Sequence, residues 1–537
     1  MRGAVWRRSL CYNEVRSLKK RILCLLAVLL LLTGCSRTQI GSFLTGQEIE
    51  EQEEQPQAEP QQEMAADAVM NETQTPDILR LAYQKDYGMN PFATVSLNNR
   101  TLISFLYEPL FVVNREYEAE PVLATEVPVS DDERTTTVRL QSGVKFHSGR
   151  SLTAEDVVYS YELAAESDYY GNRFYYVDTV QVQDAYTVVI TTETACESVP
   201  LLFDFPIVRK DTGTDPIPDG TGPFVYDGDL TLTRFDRWWQ KSPVLPYDTV
   251  ELTEATTAAD IRDHYEYGDV NLVCTDPSSA AYAAFHNDFE LWSSPTTVMQ
   301  YIGFNHNSKV FGVDAVRSCI TYVINRSAIV AEDLGGFGLP ATLPASPDSP
   351  CYHAGLAADY EYDMAKFRAV LDEAKIKDYT EDGVLDVYIK DYSEPLEGTM
   401  IVNNSSNQRV QTAEKIADYL NKAGFQITVR ALDEDDYRRV LKSQNFDLYY
   451  GEIRMSPNFD MGSFFRTGGS ANYGGSASGT GLNLCLSMLE NSGNAYDLHK
   501  WIMDKGWLCP VLFKSYAVYT TRGAANGLDP ALDWVIH

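Results

Sequence analysis

The chain has 537 residues, 44% of them hydrophobic and 22% charged. That composition excludes a fibrous or wholly disordered chain and suits a globular body of about two to four domains. Lys and Arg number 44 against 76 Asp and Glu, a formal net charge of −32, which repels phosphate backbones and argues against nucleic-acid binding.

Arg2, Arg7, Arg8, Arg16, Lys19, Lys20 and Arg21 crowd the start, followed by an unbroken apolar run over 22–32. Such a run spans only about 16 Å as a helix, short of a ~30 Å bilayer core. A positive flank with a short apolar core reads as a secretory signal. The run closes on Leu32-Thr33-Gly34-Cys35, which matches the bacterial lipobox, so residues 1–34 are expected to be removed and Cys35 acylated. The lipid then holds the protein to the membrane, since loss of the leader takes the net charge from −32 to about −38. Residues 35–76 read as a tether. Glu and Gln dominate 47–63, and few large apolar side chains are present to offset ordering entropy.

Beyond Cys35 stand six cysteines, at 196, 274, 319, 351, 485 and 509. None forms a C-x-x-C pair, so zinc ribbons and thioredoxin-type chemistry find no support. Buried thiols and disulfides both remain open in an exported chain.

Further along, 135–140 and 187–193 alternate in the two-residue period of half-buried strands. Thr153 with Asp156 three residues on predicts a capped helix start. Asp314 opens a helix with Val316, Cys319, Ile320, Val323 and Ile324 at helical spacing, and Asp363 opens another through Phe367, Val370 and Leu371. Val410, Ala413, Ile416 and Leu420 form a stripe over 409–423 that Gly424 stops. A strand at 425–431, a helix about Tyr437 and a strand at 446–450 follow. Helices alternating with strands predict an α/β architecture.

Several chemistries lack their residues. There is no G-x-S-x-G elbow, no H-E-x-x-H, and Gly220-Thr-Gly222 lacks the Lys-Ser/Thr of a phosphate loop. Residues 378–383 fail as a calcium loop because Thr380 and Ile389 stand where ligands belong. No enzyme, cofactor or metal centre is therefore expected.

Other stretches carry a resemblance. Tyr107-Glu-Pro-Leu-Phe111, Val144-Lys-Phe-His-Ser-Gly149 with 152–161, Gly220-Thr-Gly-Pro-Phe224, 234–239, Tyr267-Gly-Asp269, Phe304-Asn305 with Val316-Arg317, and Asn445-Phe-Asp-Leu448 occur in order. Together they resemble the extracellular solute-binding proteins of peptide/nickel-type ABC importers, the oligopeptide- and dipeptide-binding group of bacterial family 5. The resemblance runs over about 77–537.

It implies an α/β, two-lobed clamshell of the periplasmic-binding-protein (type II) kind. Lobe one would comprise 77–300 and 505–537, with an extra subdomain at 118–200, and lobe two 301–504. The implied function is ligand capture, most simply of an oligopeptide or dipeptide, and delivery to a permease driven by cytoplasmic ATPases. The protein would be a monomer facing the exterior or periplasm. A non-transporting ligand sensor or surface interaction module on the same scaffold is the alternative.

By alignment with that family, the ligand-contacting strand of lobe one falls at Val95, Ser96 and Leu97. The lobe-two wall covers Tyr450 to Asn458, with Tyr301 near the hinge. Arg317 reads as a structural helix residue. Peptide-binding members hold the ligand's ammonium with an Asp, and that position here is Ser456. Three readings stay open: Glu452 or Asp460 replaces that Asp, Arg454 receives an anionic ligand, or Glu452 and Arg454 satisfy each other. The region after Ser487 also looks shortened relative to the family.

Overall fold

A computed structural model of the protein describes residues 76–128, 133–241, 245–279, 285, 289–474 and 477–530. The leader, Cys35 and the tether lie outside the described residues. The described residues all fall within one compact unit.

Local signals account for most elements. Thr153 and Asp156 form a reciprocal capping box at the start of Ala154–Glu166, with the Thr153 N–H donating to Asp156 at 2.9 Å. Asp363 caps Met364–Ala374. Ser406 accepts from the Arg409 N–H, so the next helix starts at Asn407 and runs to Lys422, with Gly424 at φ +101° beyond it. The expected long helix from Asp314 is instead short. Asp314–Ser318 is α-helical, and Cys319–Val323 tightens into a 3₁₀ turn. Ile320, Thr321 and Val323 are branched at Cβ, which weakens the α-helix, yet the stripe stays buried. Asp378 accepts from the Asp382 and Gly383 N–H groups, which makes that segment a side-chain-capped turn.

One sheet of eleven strands runs through the body. Its order is Gln426–Leu432, Glu397–Asn403, Leu448–Arg454, Glu290–Phe304, Leu508–Thr520, Leu272–Thr275, Leu79–Tyr83, Thr249–Glu254, Thr231–Arg234 and Phe224–Tyr226, with Gly338–Pro340 beside Leu508–Thr520. Two long antiparallel strands, Glu290–Phe304 and Leu508–Thr520, pass from one half to the other. Their register breaks between Pro295 and Met299. On one side of the break residues 290–295 pair with 515–520, and on the other 299–303 pair with 508–513. Residues 508–513 therefore run beside 299–303, which pair on their other edge with the strand Leu448–Arg454. A separate three-stranded sheet of Thr135–Arg139, Thr187–Thr192 and Val177–Asp184, with the helix Ala154–Glu166 against it, lies within the expected subdomain.

Lys514 sits at this break. Its ammonium is 2.8 Å from Asp276, which follows a strand of the first half, and 3.2 Å from Glu452, on a strand of the second. Only 5% of its side chain is exposed. Burial pulls the Lys514 pKa down, but Glu452 and Asp276 outweigh it, and the net shift is upward. The six cysteines are free and buried.

Removing the Lys514 charge leaves two carboxylates without their cation. Lys514→Met is expected to cost about 3 kcal/mol in urea denaturation; a loss under about 0.5 kcal/mol would show that the pair contributes little.

His499 provides a pH handle. It is fully buried, and neither ring nitrogen has a hydrogen-bond partner. Burial first, and neighbouring His353 second, lower its pKa to about 3. Below the ordinary value the unfolded chain takes up a proton that the folded one refuses, so stability falls as pH drops from about 6.5 toward 3. Between pH 6.5 and 5 this amounts to about 2 kcal/mol. His499→Leu should flatten that slope in denaturation curves at the two pH values; an unchanged slope would acquit His499.

Candidate functional site

Two adjoining cavities mark the seam between the halves, and Tyr169, Tyr170 and Arg454 line both. The larger, of about 550 Å³, lies between residues 161–175 and residues 453–470. The smaller, of about 70 Å³, runs in past Leu97, Arg100 and Tyr516.

The tyrosines are presented by an aromatic anchor. A 3₁₀ turn, Gly171–Phe174, follows the helix Ala154–Glu166. Phe174 packs edge-on against Phe203 and Phe205 at 6.0 and 5.7 Å. That fixes the preceding Tyr169-Tyr170 pair. Tyr170 is buried, receives a hydrogen bond from Arg100 at 2.9 Å, and burial raises its pKa to about 12. Tyr169 lies between two guanidinium groups, 3.4 Å from Arg100 and 4.6 Å from Arg454. Arg454 also donates to the Tyr516 hydroxyl at 3.0 Å. One ring thus joins the helix Leu97–Leu106 to the strand Leu448–Arg454. Nearby, Arg173 is ion-paired with Asp204, and Arg466 lies 3.3 Å over the Tyr175 ring and donates to Tyr176 at 3.0 Å.

The register of Leu448–Arg454 against the first long strand explains the lobe-two wall. Gln300 stands opposite Glu452, and Val298 opposite Arg454. Tyr450, Glu452 and Arg454 share one face, passing from the core to the cavity. Tyr450 is 1% exposed and donates to Gln300 at 2.8 Å, so it belongs to the lobe-two core. Tyr301 is also buried, hydroxyl to hydroxyl with Tyr449 at 3.2 Å. Glu452 pairs with Lys514 and accepts from Gln300 at 2.9 Å. Glu452, one half of the mutual pair among the three open readings, is thus engaged by Lys514 and Gln300. Cross-strand neighbours about 5 Å apart reach Glu452 more readily than a residue two places along its own strand.

Ser456 and Asp460 line the larger cavity. The Ser456 hydroxyl donates to Asn458 at 2.6 Å, and Asp460 accepts from the Gly462 N–H and the Cys485 thiol. Asn458 turns away, donates to Ser198 at 3.0 Å, and lines a separate cavity of about 260 Å³.

The strand expected at Val95, Ser96 and Leu97 does not form. Ser96 is the cap of the helix Leu97–Leu106, accepting from the Asn99 N–H and donating to Gln84 at 2.7 Å. Val95 is 76% exposed, and Leu97 alone of the three lines the smaller cavity. A serine followed by a helix-forming run is a cap signal, and it overrides the alignment.

Arg100, Tyr169, Arg466 and Tyr516 escaped the sequence reading. They come from four distant segments, and only the Tyr169-Tyr170 doublet is conspicuous in the chain. Arg317 is structural, as expected. Buried, it donates to the carbonyls of Gly506, Phe311 and Lys505 and pairs with Asp314.

The model of the bacterial extracellular solute-binding proteins, family 5 (middle), matches residues 118–475, more than half of the chain. The chain belongs to this family. It is a solute-binding protein and not an enzyme. It is 25% identical over 368 residues to the oligopeptide-binding protein AppA of Bacillus subtilis, covering 64% of this chain and 67% of that one. It is 27% identical over 311 residues to the glutathione-binding protein GsiB of Salmonella paratyphi A, covering 54% of this chain and 60% of that one. The crystal structure of a putative peptide-binding protein AppA from Clostridium difficile superposes with a TM-score of 0.66, at 17% identity, over 86% of this chain and 98% of the other. The fold is therefore the two-lobed, type II clamshell of mixed α/β structure. No helix among the described residues is long and apolar enough to cross a membrane.

Replacing Tyr169 by Leu removes the ring that both arginines share. Each such contact contributes about 0.5–2 kcal/mol, so Tyr169→Leu should lower stability by about 1–2 kcal/mol; an unaltered melting temperature would show that the ring only fills space.

Proposed function

We propose that the chain is the lipid-anchored, substrate-binding component of an ABC importer of the peptide/nickel type, which takes a peptide-class solute between its lobes and hands it to the permease. The observation that carries this reading is the cleft itself. A cavity of about 550 Å³, lined by tyrosines and arginines, adjoins a smaller one that reaches Ser294 and Tyr516 of the two crossing strands. A register break at the crossing gives a place where the halves can rotate with little loss of pairing. The names of the relatives, oligopeptide-binding and glutathione-binding, support a peptide-class ligand. The lipobox at Cys35 supports the anchor. Closure supplies the signal, because only the closed form presents both lobes together to a partner.

Capture of a ligand should compact the protein and stabilise it. A ligand at a hundredfold excess over Kd adds about 2.7 kcal/mol, read as a rise in melting temperature on addition of a peptide mixture, with a fall in radius of gyration by solution scattering. Native mass spectrometry of gently purified protein should show the retained ligand. In cells, Cys35→Ala should abolish labelling by palmitate and release the protein from the membrane fraction. No stabilisation by peptide, sugar or metal pools would contradict the receptor reading, and an unlabelled wild type would contradict the anchor.

A further inference from the structure

We propose that the cavity of about 260 Å³ beside Asn458 is a second ligand site, separate from the cleft, that takes a small, uncharged aromatic molecule.

Segments distant in the chain meet around it, at 117–127, 197–201, 349–351, 457–459 and 488–492. The apolar wall is stiff. Pro200, Pro350 and Pro457 line it, and each proline ring fixes its own φ. The Tyr117 ring meets Phe459 edge-on at 5.0 Å, and Phe459 meets Phe513 at 5.7 Å. Phe459 is fully buried and stands at φ +55°, a conformation that a bulky side chain takes only where its surroundings impose it. A chamber held in this way is formed before its ligand arrives, so binding loses little to ordering.

Its size selects the ligand. An apolar cavity of about 150 Å³ holds benzene, so this one suits about ten non-hydrogen atoms, a fused pair of rings. Two aromatic rings and Met488 in the wall favour a flat π-system, which gains ring and sulfur contacts beyond its buried area.

The polar groups set the charge. Among the described residues no lysine or arginine lines the chamber, so an anion would be desolvated without a counter-charge. Glu197 accepts from the Ser492 N–H at 2.7 Å, and Asn458 is engaged by Ser456 and Ser198. Burial first, and Glu197 second, push the Cys351 thiol up to about 11, so it is neutral at physiological pH. Ser349 carries a buried hydroxyl with no hydrogen-bond partner, and a ligand N–H that reaches it supplies one.

Ser456 lines the cleft cavity, and its bond to Asn458 at 2.6 Å is what lies between the two sites. The test must therefore tell them apart. Calorimetry on the full mature chain compares 3-methylindole with indole-3-carboxylate and 3-(aminomethyl)indole, which share a ring and differ in charge. The neutral ligand should bind at least about tenfold more tightly than either ion, and a saturating peptide mixture should leave it in place. Ala119→Phe sets a ring into the chamber and should abolish this binding while cooperative melting persists. Crystals of the wild type soaked in 3-methylindole, which need no variant to fold, should show the ring beside Phe459 and Pro350. Absence of binding, or binding that survives in folded Ala119→Phe, overturns the site. An ion that binds as tightly overturns the charge class, and displacement by peptide shows that the chamber belongs to the cleft and overturns its separateness.

Discussion

Two strands that cross from one half of the molecule to the other, with a buried lysine at the crossing, are what the rest of the structure depends on. Two crossings tie the halves together more tightly than a single linker would. Lys514 lies beside the register break and binds a carboxylate from each side. Its burial is tolerated because Asp276 and Glu452 supply opposite charge and Ser278 a further acceptor at 3.0 Å. The same network decides the cleft's chemistry. Lys514 and Gln300 hold Glu452, two residues before Arg454 on the same strand.

The patches that carry the family resemblance turn out to be joints. Glu108, in the first patch, is buried and accepts from the indole N–H groups of Trp238 and Trp239, in another, and from Gln240. Desolvation raises its pKa to about 7 against the pull of these donors. Gly220 and Gly222 lie so close to the end of the helix Leu97–Leu106 that a Cβ would meet the Leu106 backbone at 2.1 and 2.4 Å. The His147 ring bonds to the Gly222 carbonyl at 3.0 Å. Asn305 donates to the carbonyls of Gln444 and Phe446, tying two further patches together. These residues fix how segments distant in the chain meet, and none of them faces the ligand cavity.

The cavity is built differently. The polar groups of the two adjoining cavities come from the helix Leu97–Leu106, the segment about the turn Gly171–Phe174, the end of the strand Leu448–Arg454 with the loop beyond it, and the strand Leu508–Thr520. Arg454 and Arg466 lie over aromatic rings, whereas Arg173 is ion-paired with Asp204.

The sequence by itself determined the α/β class, the family and most helix starts. Those follow from local rules: a capping side chain reaches its own first turn, and a periodic stripe buries itself wherever the helix lies. The positions of Thr153, Asp363 and Gly424 were legible for that reason. Only the tertiary structure decided which polar residues face the cleft. Ser96 read as part of a strand and proved to be a helix cap, while Tyr301 and Tyr450 went into the core. Glu452 found its partner across the sheet, and Arg100, Tyr169, Arg466 and Tyr516 met from four separate segments. Partner choice between charged side chains depends on distances through space, and those are set by strand register and by the crossing at Lys514, which no window of neighbouring residues encodes.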